Sequence, residues 1–260
     1  MNIKALFFDV DGTLLSFDTH RVSVSTIEAI TKLREAGIKV IIATGRAYTD
    51  LNELKGIYYD AVVALNGAEC VLRDGSPIAC KPIKLDDFLK LKVLANEYGF
   101  PLAVETDQGF CIDKVNQTVI DLAKLVDHPV PTVVDIENAF RAKECCQLCI
   151  YCDETREEEV MRKLPGLTVS RWNPLFADVN VAGVDKSVGI DEMCNYYGFD
   201  RSEVMAFGDG GNDIPMLRAA GIGVAMGSAS EKVKDSADYV TGSVDEDGVV
   251  EALLHFGLIR

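Results

Sequence analysis

The sequence has 260 residues, of which 48% are hydrophobic, and a formal net charge of −15 at pH 7. This length suits two domains, and the hydrophobic fraction argues against a disordered chain. The acidic balance argues against a nucleic-acid-binding protein, because such proteins need a basic face. We expect no membrane span, since no apolar stretch reaches ~18 residues, and no N-terminal secretion signal.

The first apolar stretch ends in two acidic residues. Ile3–Phe8 is nearly all apolar, which predicts a strand buried on both faces, as in parallel sheets. Asp9 and Asp11 then follow two positions apart, so an extended chain places their side chains on the same side. A divalent cation with oxygen ligands would relieve their repulsion. Taken alone, the segment Asp9-Val10-Asp11-Gly12-Thr13 also suits an ordinary turn after a strand.

The next two predicted strands also end in polar residues. Ile38–Ala43 precedes Thr44-Gly45-Arg46, and Asp60–Leu65 precedes Asn66. The carboxyl ends of parallel strands share one edge of the sheet, so the Thr44 hydroxyl can face Asp9. The alternatives are a helix N-cap for Thr44, a surface ion pair for Arg46 and a turn for Asn66.

The pattern changes near Lys81-Pro82 and predicts an α/β segment of ~100 residues, which is large enough to form its own domain. The predicted helices are Leu85–Tyr98, Val119–Val126 and about Arg156–Leu164. The predicted strands are Leu102–Glu105, Phe110–Lys114, Cys145–Cys152, Leu167–Arg171 and Phe176–Val181. The turn between the first two strands is predicted at Asp107-Gln108-Gly109.

Four of the eight cysteines lie in the predicted strand Cys145–Cys152. Their overlapping CxxC spacings suggest a zinc site. Residues three apart in a strand point to opposite faces, however, which disfavours shared ligation. Strict alternation would place Cys146 and Cys152 on one face, and Cys145 and Cys149 on the other. We interpret these cysteines as reduced, small apolar residues of a cytoplasmic protein that contains no structural zinc.

The predicted strands Leu167–Arg171 and Phe176–Val181 flank Trp172-Asn173-Pro174, which we expect to form the tip of a hairpin. Two side chains near this tip are candidates for substrate contacts. Arg171 offers forked donors to sugar hydroxyls or phosphate, and the indole of Trp172 can stack on a sugar ring. The alternative is structural: Trp172 fills the core of this segment, and Arg171 pairs with an acidic residue.

The last third of the chain returns to the pattern of the first. Lys186 begins a predicted helix, where a positive charge is unfavourable for the helix dipole, which suggests another reason for its placement. The predicted strand Val204–Phe207 ends in Gly208-Asp209-Gly210-Gly211-Asn212-Asp213. These acidic and amide side chains offer oxygen ligands for a hard cation. Taken alone, Lys186 suits a solvated lysine and the acidic run suits a turn.

Four motifs, in this order, resemble those of the haloacid dehalogenase-like hydrolases. The first is Asp9-Val10-Asp11-Gly12-Thr13, the second is Ala43-Thr44-Gly45-Arg46, the third is Lys186 and the fourth is Gly208–Asp213. The segment between the second and third motifs resembles the type-two cap of the Cof-like sugar phosphatase branch. The resemblance implies an α/β fold in which a smaller α/β cap domain, residues 82–182, is inserted in a Rossmann-like parallel-sheet core, residues 1–81 and 183–260. It implies that Asp9 is the phosphoryl-accepting nucleophile and Asp11 the general acid/base.

The resemblance also implies the rest of the site. The implied phosphate-binding residues are Thr44, Gly45, Lys186 and Asn212. The implied Mg²⁺ site consists of Asp9, Asp11 through its backbone carbonyl, Asp209 and Asp213. Asn66 is a substrate-binding candidate through the resemblance, and Arg46, Arg171 and Trp172 are candidates through the properties of their side chains.

The identity of Asp11 favours phosphatase or phosphomutase chemistry, because other branches of the family lack this residue. We expect a Mg²⁺-dependent phosphatase that hydrolyses small phosphomonoesters, such as hexose phosphates, through an aspartyl-phosphate. Its partner would be a small phosphorylated metabolite rather than nucleic acid or membrane, and the protein would be a cytoplasmic monomer. One alternative is a phosphomutase, whose second motif differs from Ala43-Thr44-Gly45-Arg46. The other is a non-catalytic phosphosugar-binding module, which the presence of Asp9 and Asp11 disfavours.

Overall fold

The structure is a computed structural model that describes residues 2–54, 56–106, 109–125 and 129–260; the side chains of Thr106 and Trp172 also lie outside the description. The chain divides into two compact units. Unit 1 comprises Met1–Ala79 and Asp185–Arg260, and unit 2 comprises Cys80–Val184. None of the described helices combines the length and apolarity that crossing a membrane requires.

The elements alternate between strands and helices over much of the chain. In chain order the strands are β1 (Ala5–Phe8), β2 (Lys39–Ala43), β3 (Ala61–Ala64), β4 (Glu69–Leu72), β5 (Pro77–Cys80), β6 (Leu102–Thr106), β7 (Gly109–Ile112), β8 (Thr132–Val133), β9 (Leu148–Ile150), β10 (Leu167–Asn173), β11 (Phe176–Val181), β12 (Val204–Gly208), β13 (Ile222–Ala225) and β14 (Tyr239–Val240). The helices are α1 (Val24–Glu35), α2 (Leu85–Tyr98), α3 (Gln117–Leu125), α4 (Ile136–Ala142), α5 (Glu154–Met161), α6 (Lys186–Tyr197), α7 (Ile214–Ala219), α8 (Glu231–Lys234) and α9 (Gly248–His255).

Unit 1 is built on a sheet with the strand order β14-β13-β12-β1-β2-β3-β4-β5. The strands from β14 to β3 pair in parallel, and β4 pairs antiparallel with β3. β1 lies in the middle with all four residues buried, as its apolar run predicts. One face of the sheet packs on α6 and α7 through a cluster that includes Ile41, Val63, Ile190, Met193, Ala206 and Leu217.

Unit 2 contains a second sheet with the strand order β10-β11-β9-β6-β7-β8. One face carries the larger core, in which the rings of Phe88 and Phe140 stack with centroids 4.1 Å apart. The other face carries a smaller cluster that includes Cys149, Tyr151 and Phe176. The expected α/β class with a parallel Rossmann-like sheet and a second sheet is confirmed.

The predicted elements of unit 2 agree with the structure only in part. The helix α2 has the predicted bounds, and Gly99 caps it in a left-handed conformation. The short elements β8 and α4 were not predicted. β10 extends through Trp172 to Asn173, which pairs with Phe176, so the predicted hairpin tip was placed too early. Residues 107 and 108 of the predicted turn between β6 and β7 lie outside the described residues.

The cysteine-rich strand is shorter than predicted, since β9 covers only Leu148–Ile150. Cys149 lies on the face opposite Leu148, as alternation predicts. Cys145 joins the same core cluster as Leu148, contrary to the predicted alternation. The reason is that the chain before β9 is not a strand, so the two-residue period does not apply there.

Candidate active site

The candidate residues of unit 1 lie where the core strands end. Asp9 follows β1, Thr44 follows β2 and Asp209 follows β12. β1 pairs in parallel with both β2 and β12, so their carboxyl ends lie side by side at one edge of the sheet. Open parallel sheets bind ligands at this edge.

Lys186 connects the first and last motifs. It is the first residue of α6 and its side chain is fully buried. Its Nζ lies 2.6 Å from Oδ1 of Asp9 and 2.5 Å from Oδ1 of Asp213. A buried ammonium group requires carboxylate partners to offset its lost hydration. The three residues therefore form one interdependent charged group.

The ionisation of this group is strongly perturbed. Burial raises the pKa of Asp9 well above its ordinary value; Asp213 adds to the effect and Lys186 opposes it. Burial alone would lower the pKa of Lys186, but the attraction of Asp213 and Asp9 raises it above its ordinary value. Burial and Asp213 raise the pKa of Asp209 to about 7. The single positive charge of Lys186 therefore only partly compensates the carboxylates that surround it.

Both oxygens of Asp213 are engaged by the protein. Oδ1 accepts from Lys186, and Oδ2 accepts from the backbone N–H groups of Asp209 at 3.0 Å and Gly210 at 2.8 Å. Gly208 makes this close packing possible, since a Cβ there would lie 2.5 Å from the Asp213 Cβ. Asp213 thus fixes the backbone that presents Asp209.

The acidic residues suit a hard divalent cation. Asp9, Asp209 and Asp213 offer carboxylate oxygens that lie within 4.8 Å of one another. Oxygen donors of this kind match Mg²⁺, and a bound cation would offset the burial and the carboxylate crowding that raise the pKa of Asp9 and that of Asp209. Asp213 is committed elsewhere, so Asp9 and Asp209 would be the direct carboxylate ligands.

Gly12 allows the first motif to approach Asp209. Its φ of +88° lies in the left-handed region, and a Cβ at this position would lie 2.3 Å from Oδ2 of Asp209. Only glycine fits both requirements. The next residue, Thr13, is fully buried and donates a 3.1 Å hydrogen bond to Oδ1 of Asp209. The tight turn after Asp11 therefore orients the Asp209 carboxylate.

The side chain of Asp11 points to Arg46. The Arg46 Nη2 lies 2.6 Å from Oδ1 of Asp11, and Nε lies 2.9 Å from Oδ2. Nη1 of Arg46 lies 3.2 Å from Oε2 of Glu53. Burial alone would lower the pKa of Arg46, but the hydrogen bonds and attraction of Asp11 raise it. Arg46 thus pairs with an acidic residue that is itself a predicted site residue.

Thr44, Asn66 and Asn212 form a second connected group. Asn66 N–H donates to the Thr44 carbonyl at 3.0 Å, and Nδ2 of Asn212 donates to Oδ1 of Asn66 at 3.1 Å. The Thr44 hydroxyl accepts from Arg46 N–H at 3.1 Å. Leu65 and Asn66 both have left-handed φ, of 50° and 55°. Such strain in non-glycine residues persists where the surroundings enforce it, often at functional sites.

The remaining predicted site residues divide into two cases. Gly45 is partly buried between Thr44 and Arg46 in the same loop of unit 1. Arg171 belongs to unit 2, where its Nε donates to Oε2 of Glu157 at 2.7 Å and its Nη2 to the Cys152 carbonyl at 2.9 Å. These contacts match the structural alternative for Arg171. The prediction for the Trp172 side chain falls outside the described part of the chain.

Two residues of the site were not predicted. Thr13 belongs to the first motif, and its hydroxyl was the available signal, although no role was assigned to it. Glu53 lies in a short 3-10 turn, Asn52–Leu54, and nothing in the local sequence marks it as a partner of Arg46.

The family of the chain follows from comparison with known proteins. Residues 6–253 match the model of the haloacid dehalogenase-like hydrolase family. The chain belongs to the haloacid dehalogenase-like hydrolases. The phosphatase YcsE of Bacillus subtilis, named for 5-amino-6-(5-phospho-D-ribitylamino)uracil, is 30% identical over 99% of this chain and 97% of its own length.

Solved structures of this hydrolase family are also similar. The phosphatase BT1666 from Bacteroides thetaiotaomicron is 57% identical, with a TM-score of 0.96 over 99% of this chain and 96% of its own. BT4131, a sugar phosphatase of subclass IIB, is 40% identical, with a TM-score of 0.90 over 98% of this chain and 100% of its own. The chain is therefore a phosphoric monoester hydrolase of the haloacid dehalogenase-like type, as its motifs predict.

Proposed function

We propose that this phosphatase hydrolyses small phosphomonoesters, with sugar phosphates such as hexose phosphates as the main class, in a Mg²⁺-dependent reaction through an aspartyl-phosphate. The position of Asp9 is the main support for this proposal. Its Oδ1 lies 2.6 Å from Nζ of the buried Lys186, and its carboxylate lies beside those of Asp209 and Asp213. One oxygen of Asp9 is bound by Lys186, which leaves the other for attack on phosphorus. Fixed positive charge beside a nucleophile also suits a phosphoryl group.

The two carboxylates of the first motif would divide the chemistry. Asp9 attacks phosphorus, and Asp11 donates a proton to the leaving alcohol. Asp11 then accepts a proton from the water that hydrolyses the aspartyl-phosphate. Lys186 and the Thr44 hydroxyl stabilise the charge on the phosphoryl oxygens. Asp9, Asp209 and the Asp11 carbonyl would hold Mg²⁺, which would supply further positive charge at those oxygens.

The supporting residues hold these groups in place. Asp213 orients Lys186 and the Asp209 backbone, while Asn212 and Asn66 connect the fourth motif to the loop that carries Thr44. We place Asn212, Gly45 and Asn66 among the residues that line the phosphate and substrate site. Positioning of this kind supplies much of the catalysis in phosphoryl transfer, because the protein does little covalent chemistry itself.

Unit 2 is proposed to be the cap domain that selects the substrate. Its span, Cys80–Val184, lies between the second and third motifs in the sequence. The relatives act on different small phosphorylated compounds according to their names, a sugar phosphate in one case and a phosphoribitylamino-uracil in the other. Sugar phosphates are favoured by the higher identity of the sugar phosphatase BT4131. Cytoplasmic location and a monomeric state stay predictions.

The test is a turnover screen over phosphorylated metabolites, with Asp9→Asn beside the parent protein. We expect release of inorganic phosphate from sugar phosphates by the parent, and a loss of at least about 10³-fold in kcat for the variant. Asp191→Asn is a matched control, because Asp191 is an exposed residue of unit 1 that pairs with Arg201.

Three results would contradict the proposal. Near-parental turnover by a correctly folded Asp9→Asn protein would remove Asp9 from the nucleophile role. An isomerised sugar phosphate as the product, without free phosphate, would favour the phosphomutase alternative. Undiminished activity in excess chelator would exclude the Mg²⁺ dependence.

A further inference from the structure

Two cysteines of unit 2 lie close together although 66 positions separate them in the sequence. Cys80 is the last residue of β5 and is exposed, whereas Cys146 is buried just before β9. Their Sγ atoms are 2.8 Å apart. The thiols are therefore in direct contact, and the distance is not far above the ~2.05 Å of a disulfide bond.

The surrounding backbone keeps the two segments together. Ile83 N–H donates to the Cys145 carbonyl at 2.8 Å, three residues after Cys80. Nδ2 of Asn180, from β11, donates to the Cys146 carbonyl at 2.9 Å. The chain that leaves β5 is thus bound to the segment before β9 by hydrogen bonds that do not involve the thiols. These bonds hold side by side the two backbone segments that carry the sulfur atoms.

We propose that Cys80 and Cys146 form a reversible disulfide when the protein meets a low-molecular-weight disulfide such as glutathione disulfide. The exposed Cys80 thiolate attacks one sulfur of that compound, giving a mixed disulfide and releasing one small thiol. The Cys146 thiolate then attacks the Cys80 sulfur and releases the second small thiol. The two protein thiols are oxidised, the small disulfide is reduced to two thiols, and the two protons pass to those products.

Nearby cysteines are less suited to this reaction. Cys145 is buried and its thiol donates to the Gln147 carbonyl at 3.1 Å. Cys149 is buried and its thiol donates to Oδ1 of Asp178 at 3.2 Å. Exposure of one partner and direct contact with the other distinguish Cys80 and Cys146.

The position of the proposed Cys80–Cys146 disulfide in the chain predicts an effect on turnover. Cys80 is the first residue of unit 2, so it marks the first crossing of the chain between the units. A disulfide there, together with the hydrogen bond at Ile83, would tie both ends of the segment Lys81–Ile83, which directly follows the crossing, to one segment of unit 2. That segment would lose torsional freedom. The expected slowing of turnover rests on the proposed function, in which unit 2 moves as a cap during each cycle.

The test uses the full-length protein, incubated with glutathione disulfide and analysed by intact mass, peptide mapping and thermal unfolding. We expect the loss of two hydrogen atoms, a Cys80–Cys146 linked peptide, and a rise in Tm of roughly 5 °C that dithiothreitol reverses. Cys80→Ser should abolish the linked peptide, and the exposed position of Cys80 lets this variant fold. Cys111→Ser is the matched control and should form the bond as the parent does.

The outcomes separate the inference from the proposed function. A stable glutathione adduct at Cys80 without a linked peptide overturns the proposed disulfide, and so does a linked peptide that lacks Cys146. A formed bond with unchanged kcat overturns its effect on turnover. An absence of phosphatase activity in both redox forms counts against the proposed function and leaves the mass and Tm results as the test of the bond.

Discussion

Arg46 binds both carboxylate oxygens of Asp11, with Nη2 2.6 Å from Oδ1 and Nε 2.9 Å from Oδ2. This forked contact fixes the plane of the carboxylate as well as its position. It ties the proposed general acid/base to the loop that also carries Thr44. Arg46 is therefore a positioning residue for Asp11, in addition to any contact it makes with substrate.

The first prediction concerns this contact. Arg46→Lys keeps the positive charge but loses the two-pronged geometry, so Asp11 becomes poorly oriented for proton transfer. We expect kcat to fall roughly 10- to 100-fold, with a smaller change in KM. Steady-state kinetics with an aryl phosphate measure both constants.

Glu53→Gln is the matched control for that variant. It removes the charge partner at Nη1 of Arg46 and leaves the two bonds to Asp11 intact. We expect its kcat to stay close to the parental value. An equal loss of kcat in both variants would show that the net charge around Arg46 matters more than the orientation of Asp11.

The second prediction concerns the buried ammonium group of Lys186. Lys186→Met removes the cation between Asp9 and Asp213 and leaves two carboxylates close together without solvent. We expect the free energy of unfolding of the metal-free protein to fall by about 3–5 kcal/mol, the usual cost of leaving a buried charge unpaired. Denaturant unfolding in the presence of a chelator measures this change.

A second substitution separates charge from packing in that experiment. Lys186→Met combined with Asp213→Asn removes one of the repelling charges while keeping nearly the same volume. We expect it to recover part of the lost stability. If the double variant is less stable than Lys186→Met, lost hydrogen bonds from Asp213 to the Asp209 and Gly210 backbone dominate instead.

The site residues that follow strands could be predicted from the sequence, because the pattern that marks the end of a buried strand is local. An apolar run followed by acidic or hydroxyl residues marks the carboxyl end of a buried strand, and this pattern placed Asp9, Thr44 and Asp209 on one edge. The contact of Arg46 with Asp11 joins residues 35 positions apart, and no local pattern encodes it. The partnership of Glu53 with Arg46 is tertiary in the same way.

The missed elements of unit 2 have local causes. α4 is only seven residues long, and its few apolar positions, such as Ile136 and Phe140, give too little periodicity to predict a helix. The hairpin after Leu167 was predicted to turn at Trp172-Asn173-Pro174, where Asn and Pro favour turns. Pairing of Asn173 with Phe176 overrides that preference and moves the turn toward Pro174-Leu175.

The third prediction is the pH dependence of Mg²⁺ binding. The pKa of Asp209 is raised to about 7 by burial and by Asp213, so below that pH the metal-free carboxyl is largely protonated. Mg²⁺ requires the ionised form and must displace this proton. The apparent affinity should therefore be nearly constant above about pH 8 and fall up to tenfold per pH unit below about pH 7.

Calorimetric titration in buffers of different ionisation enthalpy checks this prediction, because it measures proton release as well as affinity. We expect protons to be released on binding at acidic pH and almost none at alkaline pH. The pKa of Asp9 is also raised, chiefly by burial, so where both carboxyls are protonated the affinity should fall by more than tenfold per pH unit. A pH-independent affinity across this range would mean that neither carboxylate binds the metal directly.

The last prediction concerns Arg171, whose guanidinium is satisfied within unit 2. Its Nη2 lies 2.6 Å from Oε2 of Glu157, and both side chains are largely buried. Nη1 donates to the backbone carbonyls of Asn173 at 3.2 Å and Pro174 at 3.0 Å. These bonds hold the turn between β10 and β11 against α5. The contacts favour a structural role over the predicted contact with substrate.

Arg171→Ala should therefore lower the stability of the protein rather than its specificity. Removal of the arginine leaves Glu157 without its ionic partner and three carbonyls without a donor, which should cost about 2–4 kcal/mol of unfolding free energy. Glu157→Gln keeps those carbonyl bonds and should cost less. At a temperature where each variant is folded, turnover of a sugar phosphate and of a small aryl phosphate should change by the same factor. A loss confined to the sugar phosphate, with an unchanged Tm, would instead assign Arg171 to substrate binding, because contacts remote from phosphorus help only a substrate that reaches them.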